Sequence, residues 1–374
     1  MTTTPTSGRT LRSTITSDGA LQLRIVDEPV AAPTGSQVLV SIEATPINPS
    51  DLGVLLGPAD PGTLSPVAGG LDGVVPERAI PALRDRLDRA LPVGNEGAGT
   101  VIAAGPDAEG LLGRRVATLG GAMWSDLRLT DAASVVPLPD GVEAADGAAI
   151  FVNPLTALAM VATMREEGHT ALVHTAAASN LGRMLVRICR DDGVGLVNVV
   201  RSAEQVEALV ELGAEHVVDS SLPDFADRLT DAVAATGATV AFDAVGGGTL
   251  AGEILAAMER TAERDGPWTP YGSQTHKQVH VYGSLDRAPT TIDRTFGMRW
   301  SVGGFLLTDA LTRLPPQVVA AMRGRVLDEL HTTFASTYAR TIGLADVLDP
   351  EHLAVFGRRS TGTKYLIDPT LDRP

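Results

Sequence analysis

From Ala148 onward, stretches with helical spacing alternate with short apolar β-rich runs, and this alternation constrains the fold more than any other feature of the chain. Pro154 to Glu167 reads as helix, Thr170 to Thr175 as strand, Leu181 to Asp191 as helix and Gly195 to Val200 as strand. The series continues with a helix near Ala203 to Leu212, a strand from His216 to Val218 and a helix near Asp224 to Ala235. A strand from Thr239 to Asp243 and a helix near Thr249 to Arg260 complete it. Strands separated by helices of about ten to fifteen residues build βαβ units and a parallel sheet. The pattern predicts a doubly wound α/β domain over 151–314.

The first third follows another rule. Leu21 to Val26, Val38 to Ile42, Gly99 to Ala103, Arg115 to Thr118 and Asp126 to Leu129 are β-rich runs set among turn residues such as those of Pro29 to Gly35. They predict an all-β, partly open barrel in 1–150. A Pro/Gly-rich stretch from Gly57 to Gly73 and a helix from Glu77 to Arg89 interrupt it. Long irregular segments often serve as lids, so 57–90 reads either as a cover over a site or as a surface insertion. Thr2 to Ser17 is Ser/Thr-rich and reads as a frayed tail, and the last 60 residues hold a helix near Gln317 to Thr332 and a strand from Lys364 to Ile367.

A length of 374 residues suits two domains, and 44% apolar against 20% charged residues suits an ordinary globular enzyme. The net charge of −15 argues against nucleic acid and anionic membranes as partners, which leaves small molecules. The single cysteine, Cys189, excludes an intrachain disulfide and a four-cysteine zinc site, and its helical setting reads as packing. No apolar run approaches the length of a membrane span and no signal-peptide core is present, so the chain reads as cytoplasmic.

A doubly wound sheet binds a dinucleotide at the turn after its first strand, against a helix N-terminus. Here that turn is Thr175 to Gly182. Of the usual glycine pattern only Gly182 is present, yet Ala178 keeps the wall small, Ser179 suits a helix cap, Asn180 tolerates left-handed geometry, and Leu181 and Gly182 open the helix. The second strand ends in Arg201, where an NAD enzyme would carry an acidic residue. A guanidinium there suits the 2′-phosphate of NADPH, whereas a carboxylate would repel it.

Ile47-Asn-Pro-Ser-Asp51, Val93-Gly-Asn-Glu-Gly-Ala-Gly99, Asn153-Pro-Leu-Thr-Ala157, Asn198-Val-Val-Arg201, Leu212-Gly-Ala-Glu-His-Val217, Phe242-Asp-Ala-Val-Gly246, Val281-Tyr-Gly283 and Gly304-Phe-Leu306 occur in this order. Together they resemble the medium-chain dehydrogenase/reductase superfamily, in its zinc-free branches, the zeta-crystallin-like quinone oxidoreductases and the 2-enoyl thioester reductases. The resemblance spans about Leu21 to Pro369. It implies a GroES-like β-rich catalytic domain, 1–150 completed by 315–374, with a Rossmann domain inserted over 151–314. Zinc-dependent relatives place a histidine ligand in Gly-His-Glu, and this chain reads Gly94-Asn95-Glu96 with no cysteine before Cys189, so no metal site is expected. His174 and His216 read as structural.

The resemblance implies NADPH as cofactor and hydride transfer to a small electrophilic acceptor, a quinone or an α,β-unsaturated carbonyl. Two alternatives stay open: an enoyl-thioester reductase, and a silent NADPH-binding protein. Thioester reductases carry a tyrosine soon after Asn-Pro-Ser-Asp, but no tyrosine precedes Tyr271 here. A basic groove from Arg78, Arg84, Arg86 and Arg89 would suit that alternative. The implied catalytic candidates are Asn48 and Thr156, which read otherwise as a turn residue and a helix-start residue. Phe305 would offer backbone to the nicotinamide carboxamide, Tyr282 and Gly283 would border the ribose, and Trp124 is the candidate apolar wall. Acceptor specificity is expected in 57–90 and 262–278. A homodimer is expected by analogy, with Val279 to Tyr282 as a candidate edge strand.

Overall fold

The computed structural model describes residues 7–264, 269–357 and 364–373. The chain forms two compact units, Met1–Val152 with Leu330–Pro374 and Asn153–Glu329.

The first unit is built on antiparallel strands. β1 (Ser7–Ile15) and β2 (Ala20–Pro29) form a long hairpin in register from Ser7↔Pro29 to Ile15↔Leu21. The Ser/Thr-rich N-terminal sequence is therefore mostly a strand, while Thr2 to Thr6 lie outside the described residues. Its alternation carries the reason: Leu11, Ser13 and Ile15 turn inward, with Leu11 and Ile15 fully buried, and threonine suits a pleated strand.

After β3 (Gln37–Pro46) the chain makes the one-and-a-half-turn helix α1 (Asp51–Leu55). β4 (Ser65–Val67) and β5 (Gly70–Val74) form a second hairpin, β5 pairs with β2, and β6 (Leu91–Pro92) pairs with β1, giving the order β4-β5-β2-β1-β6. Most of the Pro/Gly-rich stretch thus extends a sheet. Its helix is a 3-10 run over Glu77–Arg86 that contains Pro81.

β7 (Glu96–Ala104), β8 (Arg115–Leu119), β9 (Leu127–Asp131) and β10 (Val135–Pro137) make a second sheet with β3, and the short helix α2 (Ala144–Gly147) follows. A core of Leu11, Leu21, Leu23, Leu52, Leu55, Trp124 and Phe356, among others, fills this unit.

The second unit alternates as the spacing predicts. α3 (Val152–Glu166), β11 (Ala171–Thr175), α4 (Asn180–Asp192), β12 (Gly195–Val200), α5 (Ala203–Glu211) and β13 (His216–Asp219) come first. α6 (Phe225–Thr236), β14 (Val240–Asp243), α7 (Leu250–Arg264), β15 (Lys277–Val281) and β16 (Trp300–Gly304) follow. The strands are parallel in the order β13-β12-β11-β14-β15-β16. Burial on both faces suits the largely apolar runs of β11, β12 and β14. β15 is an inner strand. The edge is β16, whose Gly303 and Gly304 are exposed and carry too little apolar pattern to announce a strand.

Helices α8 (Leu307–Arg313) and α9 (Pro316–Asp328) stay with this unit, and Arg325 on α9 pairs with Asp192 at 2.8 Å. The return to the first unit therefore begins at 330, not at 315. There β17 (Arg340–Ile342), α10 (Pro350–Gly357) and β18 (Tyr365–Ile367) complete the β-rich fold, with β18 antiparallel to β3.

Ala144–Glu166 has the length and mean hydropathy, 1.6, to cross a membrane, a feature hidden in the sequence by its scattered polar residues. Its most apolar window is 83% buried within the fold, as a core helix would be.

Candidate functional site

In the second unit the strand order reverses direction between β11 and β14, and ligands of doubly wound sheets bind beyond the C-terminal ends of strands at such a switch point. Two buried polar residues tie those ends together. Thr175 Oγ1 donates to Asp243 Oδ1 at 2.7 Å and accepts from Ala244 N at 2.8 Å. The Asp243 carboxylate also accepts from Val245 N at 2.9 Å and Gly246 N at 3.0 Å, which fixes the loop after β14. The strings containing Thr175 and Asp243 were visible in the sequence, but a role in aligning two loops depends on strand neighbours that sequence does not reveal.

The predicted turn is tightly built. Ala176 sits in the left-handed region at φ 51°, Ser179 N accepts no role in the helix ladder and instead donates to Ala176 O at 3.0 Å, and Ser179 Oγ caps α4 by accepting from Gly182 N at 3.1 Å. A Cβ on Gly182 would lie 2.1 Å from Ala177 O, so only glycine lets the helix start press on the turn. Ala178 and Leu181 are buried beneath it. This arrangement fits a pyrophosphate: small side chains line the turn, and a capped helix N-terminus faces the ligand position expected for the fold.

Arg201 is exposed where β12 ends, beside the turn's strand. Its N–H donates to Gln205 Oε1 at 3.1 Å, Ser202 caps α5, and its guanidinium meets no carboxylate among the described residues. Gly283 packs against the loop after β14, where a Cβ would lie 2.4 Å from Ala244 O.

The Tyr282 hydroxyl pairs with His174 Nε2 at 2.7 Å and so turns toward the sheet rather than toward a ribose. Burial holds His174 neutral, pushing its pKa down to about 3, and burial also raises that of Tyr282. Phe305 N already donates to Val281 O at 2.9 Å, so a backbone contact to a carboxamide would have to use its carbonyl. Thr156 is buried in α3.

In the first unit Asn48 lies in a buried polar cluster. Its backbone N–H donates to Asp51 Oδ2 at 2.7 Å, and its Nδ2 donates to Glu96 Oε1 at 2.9 Å. Asp51 Oδ1 accepts from Asn95 N at 2.8 Å, and Glu96 Oε2 accepts from Phe151 N at 3.0 Å and Val152 N at 2.9 Å. Burial pushes Asp51 up to about 7 and raises Glu96, while it lowers the neighbouring buried Lys364. Sequence reading found Asn48 but missed this shell, because Glu96 and Lys364 are far apart along the chain.

Two expectations fail here. Trp124 is fully buried in the core, hydrogen-bonded through its backbone to Leu11 and Val93 and packed where a Cβ on Gly94 would approach its ring to 2.4 Å; it is no wall of a site. Arg86 turns inward, donating to Gly53 O at 3.1 Å, Ser13 Oγ at 3.0 Å and Val54 O, so it caps α1 instead of joining a basic groove. Of the 262–278 segment, 265–268 lie outside the described residues, and Lys277 and Ser273 bind the buried Glu259. Among the described residues no group of three or more His, Cys, Asp or Glu side chains is placed to hold a metal ion.

Residues 181–285 match the family model described as zinc-binding dehydrogenase. The chain is 32% identical over 209 residues to the mitochondrial enoyl-[acyl-carrier-protein] reductase of Caenorhabditis elegans, covering 53% of this chain and 53% of that protein. It is 33% identical over 175 residues to the human synaptic vesicle membrane protein VAT-1 homolog, covering 45% of this chain and 44% of that one. The matches thus span about half the length of these curated relatives. A solved structure of a putative NADPH:quinone reductase from Mesorhizobium loti superposes with a TM-score of 0.74 at 27% identity, over 98% of this chain and 100% of that one. With the two-unit architecture and the switch-point turn, these likenesses support a place for the chain in the medium-chain dehydrogenase/reductase superfamily, in its zinc-independent branch.

Proposed function

We propose that the protein is an NADPH-dependent reductase that delivers hydride to a quinone or an α,β-unsaturated carbonyl compound. The observation that carries this reading is the turn from Thr175 to Gly182 at the switch point, with Arg201 beside it, whose guanidinium meets no carboxylate among the described residues. A bound NADPH supplies the hydride. The protein's own part is to bind, orient and exclude. The amides at the start of α4 and the small turn residues receive the pyrophosphate, and Arg201 receives the 2′-phosphate through charge-assisted hydrogen bonds. Thr175 and Asp243 hold the loops after β11 and β14 in fixed relation, so the cofactor needs little reorganisation on binding. Asn48, held at its backbone and its amide, offers a rigid polar contact in the first unit.

The names of the relatives support both a quinone reductase and an enoyl-thioester reductase. The chain lacks a tyrosine in the segment after Asn-Pro-Ser-Asp, and Arg86 is engaged in the fold, so the quinone or enone acceptor is favoured. A homodimer would pair through the β16 edge, whose outer backbone groups are available to a second strand.

The test is NADPH oxidation across quinones, enones and a crotonyl thioester, together with cofactor titration. A hydrogen bond to a charged group contributes about 1.5 to 3 kcal/mol, so Arg201→Ala should weaken NADPH binding roughly ten- to a hundredfold and leave NADH nearly unchanged. Equal losses for both cofactors would remove Arg201 from the site. Tight NADPH binding with no turnover of any acceptor would make the protein a binder rather than an enzyme.

A further inference from the structure

At the foot of the parallel sheet, where β11, β14 and β15 begin, His169, His276, His280 and Glu167 gather around one amide. Gln278 on β15 lies between two buried rings: its Oε1 is 3.4 Å from His169 Nε2, and its Nε2 is 3.0 Å from His280 Nε2. Glu167, just after α3, reaches that same His280 nitrogen through Oε2 at 2.9 Å. An amide nitrogen only donates and an ionised carboxylate only accepts, so His280 Nε2 cannot answer both. Turning the amide end for end removes the conflict. His280 Nε2–H then donates to Glu167 and to the amide oxygen, the amide nitrogen donates to His169 Nε2, and His169 Nδ1–H donates to Thr239 Oγ1, 2.7 Å away. His280 Nδ1 is buried without a partner, and a bare lone pair there leaves no donor stranded.

A proton on His169 reverses the requirement. Both its nitrogens then donate, so Gln278 has to turn its oxygen to His169 and its nitrogen to His280, whose own Nε2–H is held by Glu167. Two donors face each other. The charged and titratable groups around His169 are Glu167 after α3, His276 leading into β15 and His280 on β15. Burial lowers the His169 pKa, the Gln278 hydrogen bond and Glu167 oppose that, and charge on His276 or His280 lowers it again. The His276 ring stacks on His169 at 6.4 Å, and its Nε2 meets Ser301 Oγ on β16 at 3.3 Å, so the cluster extends to the edge strand.

We propose that Gln278 is a proton-operated latch: with His169 neutral its amide ties the two rings together, and a proton on His169 turns the amide against His280 and loosens β15 and β16 from the turn between α3 and β11. The direction follows from burial. A histidine whose folded pKa lies below its ordinary value of about 6.5 contributes stability that is full above that value and is lost as pH falls through the folded pKa. The latch is therefore closed at neutral pH and opens in mild acid. It lies wholly within the second unit and works without a cofactor.

Selective 15N labelling of the seven histidines shows by NMR where each ring proton sits and follows each titration. At about pH 7.5 His169 should carry its proton on Nδ1 and His280 on Nε2; the opposite nitrogen at either ring overturns the latch, and this needs no variant. His280→Phe keeps an aromatic ring against Phe242 and removes the opposing N–H, which frees the amide oxygen for protonated His169. The proton affinity of His169 should then rise roughly tenfold, as expected for regaining a hydrogen bond to a charged group. In a Gln278→Met background, His280→Phe should leave that affinity within about twofold, since no amide connects the rings. A similar rise in both backgrounds shows plain charge repulsion and overturns the proposal. Hydrogen exchange, corrected for its intrinsic pH dependence, should run about tenfold faster or more for β15 and β16 amides at pH 5 than at pH 7.5, with β12 unchanged. Unaltered protection, or an equal loss in β12, overturns the loosening of the strands.

Discussion

Lys277→Met would test how the second unit holds the segment that follows α7. Lys277 is fully buried, and its ammonium donates to Glu259, to Ser273 Oγ at 3.1 Å and to Thr275 O at 2.9 Å. Glu259, 1% exposed, also accepts from Ser273 N and Ser273 Oγ, each at 2.6 Å. Methionine fills the volume of the stem but removes the charge, leaving a carboxylate in the interior with only neutral donors. Breaking a buried pair by removing one partner costs about 3–5 kcal/mol. For a domain of this size about 2–4 °C of melting temperature accompanies each kcal/mol, so a fall of about 6 to 20 °C is expected. Lys277→Met/Glu259→Gln should recover most of it, because glutamine keeps an acceptor for Ser273 and carries no charge. Differential scanning calorimetry and urea unfolding of the three proteins give the comparison. A single variant within about 1 kcal/mol of wild type, or a double variant no better than the single, would refute the assignment of the pair as a buried, mutually dependent unit.

Three further outcomes are expected. Gly182→Ala should destabilise the second unit by more than the usual 1–3 kcal/mol of an overpacked site, because the added Cβ meets backbone at 2.1 Å, and should abolish NADPH binding; unfolding and titration read the two effects separately. Burial pushes Cys189 up to about 12, so iodoacetamide at pH 8 should leave it unmodified in the native protein and alkylate it only after denaturation, as mass spectrometry would show. Asp51 is raised from 3.8 to about 7, chiefly by burial, so its contribution to stability is fully present below pH 3.8 and is lost as pH rises toward 7; Asp51→Asn should flatten that part of the stability profile measured by urea unfolding between pH 4 and 7.

Much of the second unit was legible because β11, β12 and β14 are largely apolar runs and two helices carry clear end signals: Ser179 and Gly193 bound α4, and Ser202 opens α5. Local chemistry of that kind is written in sequence. What escaped depends on neighbours. β1 hides its apolar face behind Ser, Thr and Arg, and only the hairpin partner β2 makes Leu11 and Ile15 a core. β16 ends in two glycines and holds its place by pairing with β15, from Lys277↔Trp300 to Val281↔Gly304. Trp124 was misjudged because an indole suits a ligand wall and a core equally well, and the choice is made by Gly94, whose left-handed φ of 95° brings the backbone onto the ring. In the polar cluster, Asn48 was found through its motif. Glu96, which accepts from its amide, stood next to Asn95 in a string read for the family resemblance and for its missing metal ligand.

The return of the chain to its first unit sets an order on synthesis. All six strands of the parallel sheet, β11 to β16, lie in one uninterrupted stretch, so that unit has every part it needs once residue 329 has left the ribosome. The first unit does not. β3 waits for β18, whose Leu366 and Ile367 pair with Pro46 and Thr45, and the Arg9–Asp126 ion pair waits for Asp372, which completes it at 2.9 Å. At about 5–20 residues per second, translation of the intervening unit alone lasts on the order of 10–35 s. Through that interval an open strand edge faces the chaperones of whatever cell makes it, and nascent chains of this protein should depend on chaperone capture in proportion to how slowly they are translated.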